Sequence, residues 1–113
     1  MAFNAVSETI KPGVIKITLS GELDAGSAGV FRAEIENASA QKPKHLVLMM
    51  EDIAYMASAG VRVLVFAKQK MGAGVDIFVV APQESVLETL QLTGMSQALY
   101  ILDAYDAGRI ENV

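Results

Sequence analysis

The chain has no cysteine, and that absence removes disulfides, thiolate metal sites and cysteine nucleophiles together. Histidine is nearly as scarce: His45 stands alone, too few imidazoles for a typical zinc centre. Neither a metal nor a cofactor is therefore expected. No stretch approaches the roughly 18 apolar residues needed to span a bilayer, and Met1 to Glu8 carries no basic segment ahead of an apolar run. The expectation is a soluble cytoplasmic protein without membrane insertion, compatible with the missing cysteines. Basic residues are also few, nine against thirteen acids, and they are scattered. The resulting net charge of −4 repels polyphosphate backbones, so nucleic acid is not an expected partner.

What is present is a globular composition: 52% hydrophobic and 19% charged residues, with nine Gly and three Pro in 113 residues. Such a chain is neither collagen-like nor disordered. At this length folding buries about two thirds of the unfolded surface, enough for one compact domain, and residues 1–113 are read as a single one. No internal repeat or linker interrupts it; Ser39 to Lys44 is the most polar junction and has the length of an ordinary loop.

Periodicity orders the elements. Phe3 to Ile10 and Val14 to Ser20 read as strands, the second with Ile15, Ile17 and Leu19 alternating with Lys16 and Thr18. Lys11-Pro12-Gly13 between them predicts a type II turn and an antiparallel hairpin, since proline presets φ and glycine accepts a positive one. Ala28, Phe31, Ile35 and Ala38 then recur at helical spacing, with Asp24 as a candidate N-cap. Leu46 to Met50 and Ile77 to Val80 are continuous apolar runs, as expected of strands covered on both faces. Helices are predicted from Ser58 to about Gly72 and from Gln83 to Thr93, the latter closed by Gly94. A helical turn near Ser96 and a terminal strand near Ala107 to Glu111 complete the expectation. The order β-β-α-β-α-β-α predicts an α/β fold: an antiparallel N-terminal hairpin, then parallel strands with helices packed on the mixed sheet.

The stretch from Glu51 to Val65 carries the most chemical information, because it follows a buried strand, crosses an expected exposed loop and opens a helix at Ser58. Two roles are open to that serine. It can cap the helix, as serine commonly does, or it can be a functional hydroxyl at the positive end of a helix dipole.

Gly21-Glu22-Leu23-Asp24 after a strand, Ser58-Ala59-Gly60 opening a helix about 34 residues later, and Leu92-Thr93-Gly94-Met95 closing another resemble the STAS domain. The likeness spans nearly the whole chain and is to single-domain bacterial anti-sigma-factor antagonists. The resemblance implies a non-enzymatic binding protein whose phosphoacceptor, in an Asp-Ser-Ser-Gly or Asp-Ser-Thr-Gly turn, is matched by Ser58. It implies an anti-sigma factor that is also a serine kinase of the GHKL type, and a metal-dependent serine phosphatase that restores the hydroxyl. This chain departs from the pattern at Ala57, where many members carry Asp, and at Ala59, where a second hydroxyl residue often follows.

A partner-binding surface is expected from Glu22, Asp24, Met56, Ala57, Ala59, Gly60, Val61 and Arg62 around Ser58. Asp24 serves equally well as a plain helix cap. In the second helix Val61, Val63, Leu64, Val65, Phe66 and Ala67 exceed one core stripe; either the helix is simply well buried or some apolar surface is left for a partner. The alternatives within the family are a small STAS subunit of a lipid-transport ATPase and a stressosome-type scaffold. A small serine hydrolase is a remote one: Ala57-Ser58-Ala59-Gly60 is faintly similar to a nucleophile elbow, but Met56 replaces its first glycine and His45 precedes the serine. Gly72-Ala73-Gly74 precedes a strand, so it reads as a helix stop, and Glu51-Asp52 as solvated acids.

Overall fold

In the computed structural model, which describes residues 2–113, the apolar runs become a five-stranded sheet in chain order. The strands are β1 (Asn4–Lys11), β2 (Val14–Leu23), β3 (His45–Met56), β4 (Asp76–Val80) and β5 (Tyr100–Leu102). Only β1 and β2 pair antiparallel; every later pair is parallel. Their turn has Gly13 at φ +89°, the positive value the Pro-Gly pair predicts. Helices α1 (Ala28–Ala40), α2 (Ser58–Met71) and α3 (Glu84–Leu92) connect the parallel strands, with a single 3₁₀ turn at Met95–Ala98. Gly72 and Gly94, at φ +77° and +78°, end α2 and α3 as expected of helix-stopping glycines. Among the described residues no helix is long and apolar enough to cross a membrane.

Strand order and handedness together place the helices. Right-handed crossovers that all advance in one direction lay each connecting helix on the same face. That face holds the main core: Ile15, Ile17, Leu19, Leu46, Leu48, Ile77 and Val79 meet Phe31 and Ile35 of α1, Leu64 and Ala67 of α2, and Val86 and Leu90 of α3. Full burial of each large aliphatic side chain stabilises by about 1.5–3 kcal/mol. The intervening residues Val14, Val47, Phe78 and Val80 point to the opposite face and form a second, smaller cluster with Ile110. This explains the unbroken apolar runs of β3 and β4.

The C-terminal segment corrects the expected terminal strand. Ala107–Ile110 is a four-residue helix, α4, in which the Asp106 carboxylate accepts from the Arg109 N–H. Ile110 is fully buried against the second face. Polar ties hold it there: His45 Nδ1 donates to the Ile110 carbonyl at 2.6 Å, Lys11 Nζ to the Glu111 carbonyl at 2.9 Å, and Tyr105 Oη to Glu111 Oε2 at 2.6 Å. The edge strand β5 was not anticipated at all.

Burial, and then the Glu111 contact, raise the Tyr105 pKa from the usual 10 to about 12. A phenol whose folded pKa is raised adds stability below pH 10, and that increment fades as pH climbs through 12. Phenolate absorbance is expected to show one transition displaced toward 12 that disappears in Tyr105→Phe. If the transition lost in Tyr105→Phe lies near 10 instead, neither burial nor the Glu111 contact holds this phenol.

The stretch after Met50, expected to be a loop, instead continues β3 to Met56. Two register shifts against β2, between Thr18 and Ser20 and between Gly21 and Glu22, each add a residue to β3. Bulges of this kind break the two-residue alternation, so Met50, Ile53 and Met56 are buried at intervals of three. That period reads as neither strand nor helix in a sequence.

Candidate functional site

Because β2 and β3 are parallel, the turns that follow them emerge at the same edge of the sheet. Leu23 pairs with Met56, and the Ala57 N–H donates to the Leu23 carbonyl at 2.8 Å. The Glu22–Asp24 segment and the Ala57–Gly60 turn therefore stand side by side, with Glu22 in the last residues of β2 rather than in a loop. Packing permits this closeness only at a glycine: a Cβ on Gly60 would lie 2.7 Å from Leu23 Cγ and 3.0 Å from Met56 Cγ, both buried side chains.

Ser58 occupies the first helical position of α2 and is exposed. The capping role is corrected: the N-cap is Ala57, with φ −85° and ψ 170°, and no side chain caps the helix. The Ser58 hydroxyl instead accepts from Arg62 Nη2 at 3.3 Å, one turn along the helix. Since Ala57 already has cap geometry without a cap oxygen, Ala57→Asp is expected to stabilise the fold by about 0.5–2 kcal/mol. Equal or lower thermal stability of that variant would contradict the geometry.

Asp24 is not the N-cap of α1: that position is Ser27, and Asp24 lies three residues earlier, bonded to it. Its Oδ1 accepts from the Ser27 N–H at 3.1 Å, while the Asp24 N–H donates to Ser27 Oγ at 3.0 Å, a reciprocal box leading into α1. The Ser27 hydroxyl donates to the Glu22 carbonyl at 2.8 Å. The turn beside Ser58 is thus internally bonded and stiff.

Burial divides the remaining expected contact residues. Glu22 and Arg62 are exposed, Asp24, Ala57 and Ala59 are half-buried, and Met56, Gly60 and Val61 are buried. Those last three support the turn from below and are not at the surface. The apolar excess of α2 is likewise mostly core: Val61, Val63, Leu64 and Ala67 are buried, Phe66 is partly covered, and Val65 is 38% exposed.

Two features escaped the sequence. Tyr55 is 52% exposed, paired in register with Glu22 at the same edge. Ala28, Gly29, Arg32, Ala59, Arg62 and Val63 line a notch of about 300 Å³ between α1 and α2. Arg32 is held there with its guanidinium carbon 4.0 Å above the Phe66 ring and its Nε 3.7 Å from Glu36 Oε1. That one notch is lined by an arginine from each helix is a tertiary fact, set by how α1 packs on α2.

His45 begins β3, at the far end of the strand from Ser58, bonded to Ile110 and with its ring tilted against Phe78 at 5.1 Å between centroids. It is a structural imidazole, so no histidine stands by Ser58 as a base. Among the described residues no group of three or more acids or histidines is arranged to hold a metal.

A family model for the STAS domain matches residues 5–107. Among curated proteins, an anti-sigma-F factor antagonist, RsfB of Mycobacterium tuberculosis, is 26% identical over 85 residues, covering 75% of this chain and 70% of that protein. Among solved structures, an anti-sigma factor antagonist from Mycobacterium paratuberculosis superimposes with a TM-score of 0.88 at 22% identity, covering 98% of this chain and 96% of that one. SpoIIAA in its unphosphorylated form gives 0.79 at 23% identity (97% and 94% covered), and the Bacillus SpoIIAA in its phosphorylated form 0.71 at 22% (97% of each). With the family model matched from the first strand to the last helix, the chain belongs to the STAS domain family.

Proposed function

We propose that this protein is an anti-sigma-factor antagonist that works by partner switching. In its unphosphorylated state it binds an anti-sigma factor that is also a GHKL-type serine kinase. The kinase moves the γ-phosphoryl group of ATP to Ser58 Oγ, ADP leaves, and the hydroxyl proton passes to a base on the kinase. A metal-dependent phosphatase later hydrolyses the ester and regenerates the serine. The observation that carries this reading is the exposed Ser58 hydroxyl at the head of α2, on a rim shared with Glu22, Tyr55, Ala59 and Arg62. Similarity to RsfB and to structures of other anti-sigma factor antagonists supports it.

Magnitudes favour a charge gate over a refolding switch. Phosphorylation adds about −1.5 to −2 charges. At a helix N-terminus negative charge is favourable by about 0.3–1 kcal/mol, so α2 has no reason to unwind. A dianion carried into an interface without a cation from the partner costs several kcal/mol, and each 1.4 kcal/mol is tenfold in affinity.

The test is incubation with the purified kinase and ATP, followed by mapping of the modified residue. Phosphate on Ser58, absent in Ser58→Ala, is expected. Phosphate at another residue, with Ser58→Ala binding and signalling like the parent, would overturn the proposal.

A further inference from the structure

Arg62 and Arg32 are cations of unlike stability. Arg32 is fixed by the Phe66 ring and Glu36, from opposite sides of the α1–α2 packing. Arg62 has a long bond to a neutral hydroxyl, 3.3 Å, and both residues are exposed. So weak a contact holds the guanidinium loosely. The notch that both arginines line is open because Ala28, Gly29 and Ala59 offer almost no side chain to fill it.

Exchanging the Ser58 O–H for O–PO₃ would set three acceptor oxygens beside a guanidinium that already touches Oγ. Guanidinium and phosphate match as a two-point, charge-assisted pair, about twice as strong as a neutral hydrogen bond. Two neighbouring acids are already engaged: Asp24 Oδ1 is bonded to Ser27, and Glu36 lies beside Arg32. Resting on the reading that Ser58 is the phosphoacceptor, we infer that Arg62 is the intramolecular counter-ion of the Ser58 phosphate, with Arg32 as a second cation across the notch. Phosphorylation then changes the rim twice. It adds a dianion, and it withdraws the guanidinium that the unmodified protein can offer to an acidic group on its partner. Arg62 is a positioning residue for the switch, and lysine, a point charge without the planar fork, does not replace it.

The test needs no kinase. Full-length protein with phosphoserine placed at position 58 during synthesis is melted beside its unmodified counterpart, in the parent and in Arg62→Gln, Arg62→Lys and Arg32→Gln backgrounds. Comparing modified with unmodified protein inside each background cancels any effect of the substitution itself. In the parent the phosphate is expected to raise Tm by about 4 °C at low salt, with a displaced Arg62 Nε–H resonance. In Arg62→Gln most of that rise is lost, in Arg62→Lys much of it, and in Arg32→Gln a smaller part. An equal rise in the parent and Arg62→Gln, or a fall in the parent, would overturn the inference. A kinase that never modifies Ser58 would sink the proposed function while leaving this result standing, so the two failures are separable.

Discussion

Leu23→Ala is expected to destabilise the fold by about 2–5 kcal/mol, the usual range for emptying a fully buried leucine site. Gly60→Ala should cost about 1–3 kcal/mol for the opposite reason, since its new Cβ would press on Leu23 Cγ at 2.7 Å and on Leu23 Cδ2 at 2.8 Å. The two defects compensate. With Leu23 truncated, the added methyl group has room, so the double variant should be more stable than the sum of the single losses predicts. Denaturant melts of the four proteins measure this coupling. Strict additivity would mean that Gly60 is not the residue that lets the head of α2 rest on the end of β2. The consequence reaches function, because this contact and the Ala57-to-Leu23 hydrogen bond set Ser58 beside the Glu22–Asp24 turn.

Ser58→Asp is expected to weaken binding to the partner kinase by about a hundredfold or more while leaving Tm nearly unchanged. The first half follows from the added negative charge together with the engagement of the Arg62 guanidinium, both at the surface the kinase would meet, and each 1.4 kcal/mol lost there is tenfold in affinity. The second follows from the place of the side chain: it is exposed, it does not cap α2, and a carboxylate at the head of a helix is mildly favourable. Ser58→Ala should bind like the parent and resist inactivation by ATP. Calorimetric titration and a melt of each variant decide the matter; a large fall in the stability of Ser58→Asp with unchanged affinity would return Ser58 to a structural role.

Much of the architecture was legible because it rests on local rules. Pro12-Gly13 specifies the hairpin turn, the apolar runs of β3 and β4 report burial on both faces, and Gly72 and Gly94 stop their helices at positive φ. The misses share a cause: short or irregular elements carry no period. β5 has three residues and α4 four, so neither could show alternation or a helical stripe. The bulges of β3 replaced alternation by a spacing of three, which disguised strand as loop and hid Tyr55 from notice.

Within the site, Ser58 and its neighbours in the chain could be named from the order of residues and the family resemblance. Their burial could not. Met56, Gly60 and Val61 lie in the same short segment as Ala57, Ala59 and Arg62, and only packing against Leu23 and the sheet separates those beneath the surface from those on it. The assignment of the cap failed by one residue, since Ala57 has the geometry and Ser58 the chemistry. The arginine-lined notch depends on how α1 crosses α2, which no local pattern records.

The most direct measurement is the affinity of the purified anti-sigma kinase, loaded with a non-hydrolysable nucleotide, for two preparations of this protein that differ only in phosphate on Ser58. Charge gating predicts tight binding of the unmodified form and at least a hundredfold loss for the phosphorylated one, with both melting as folded proteins. Equal affinity of the two preparations would contradict it.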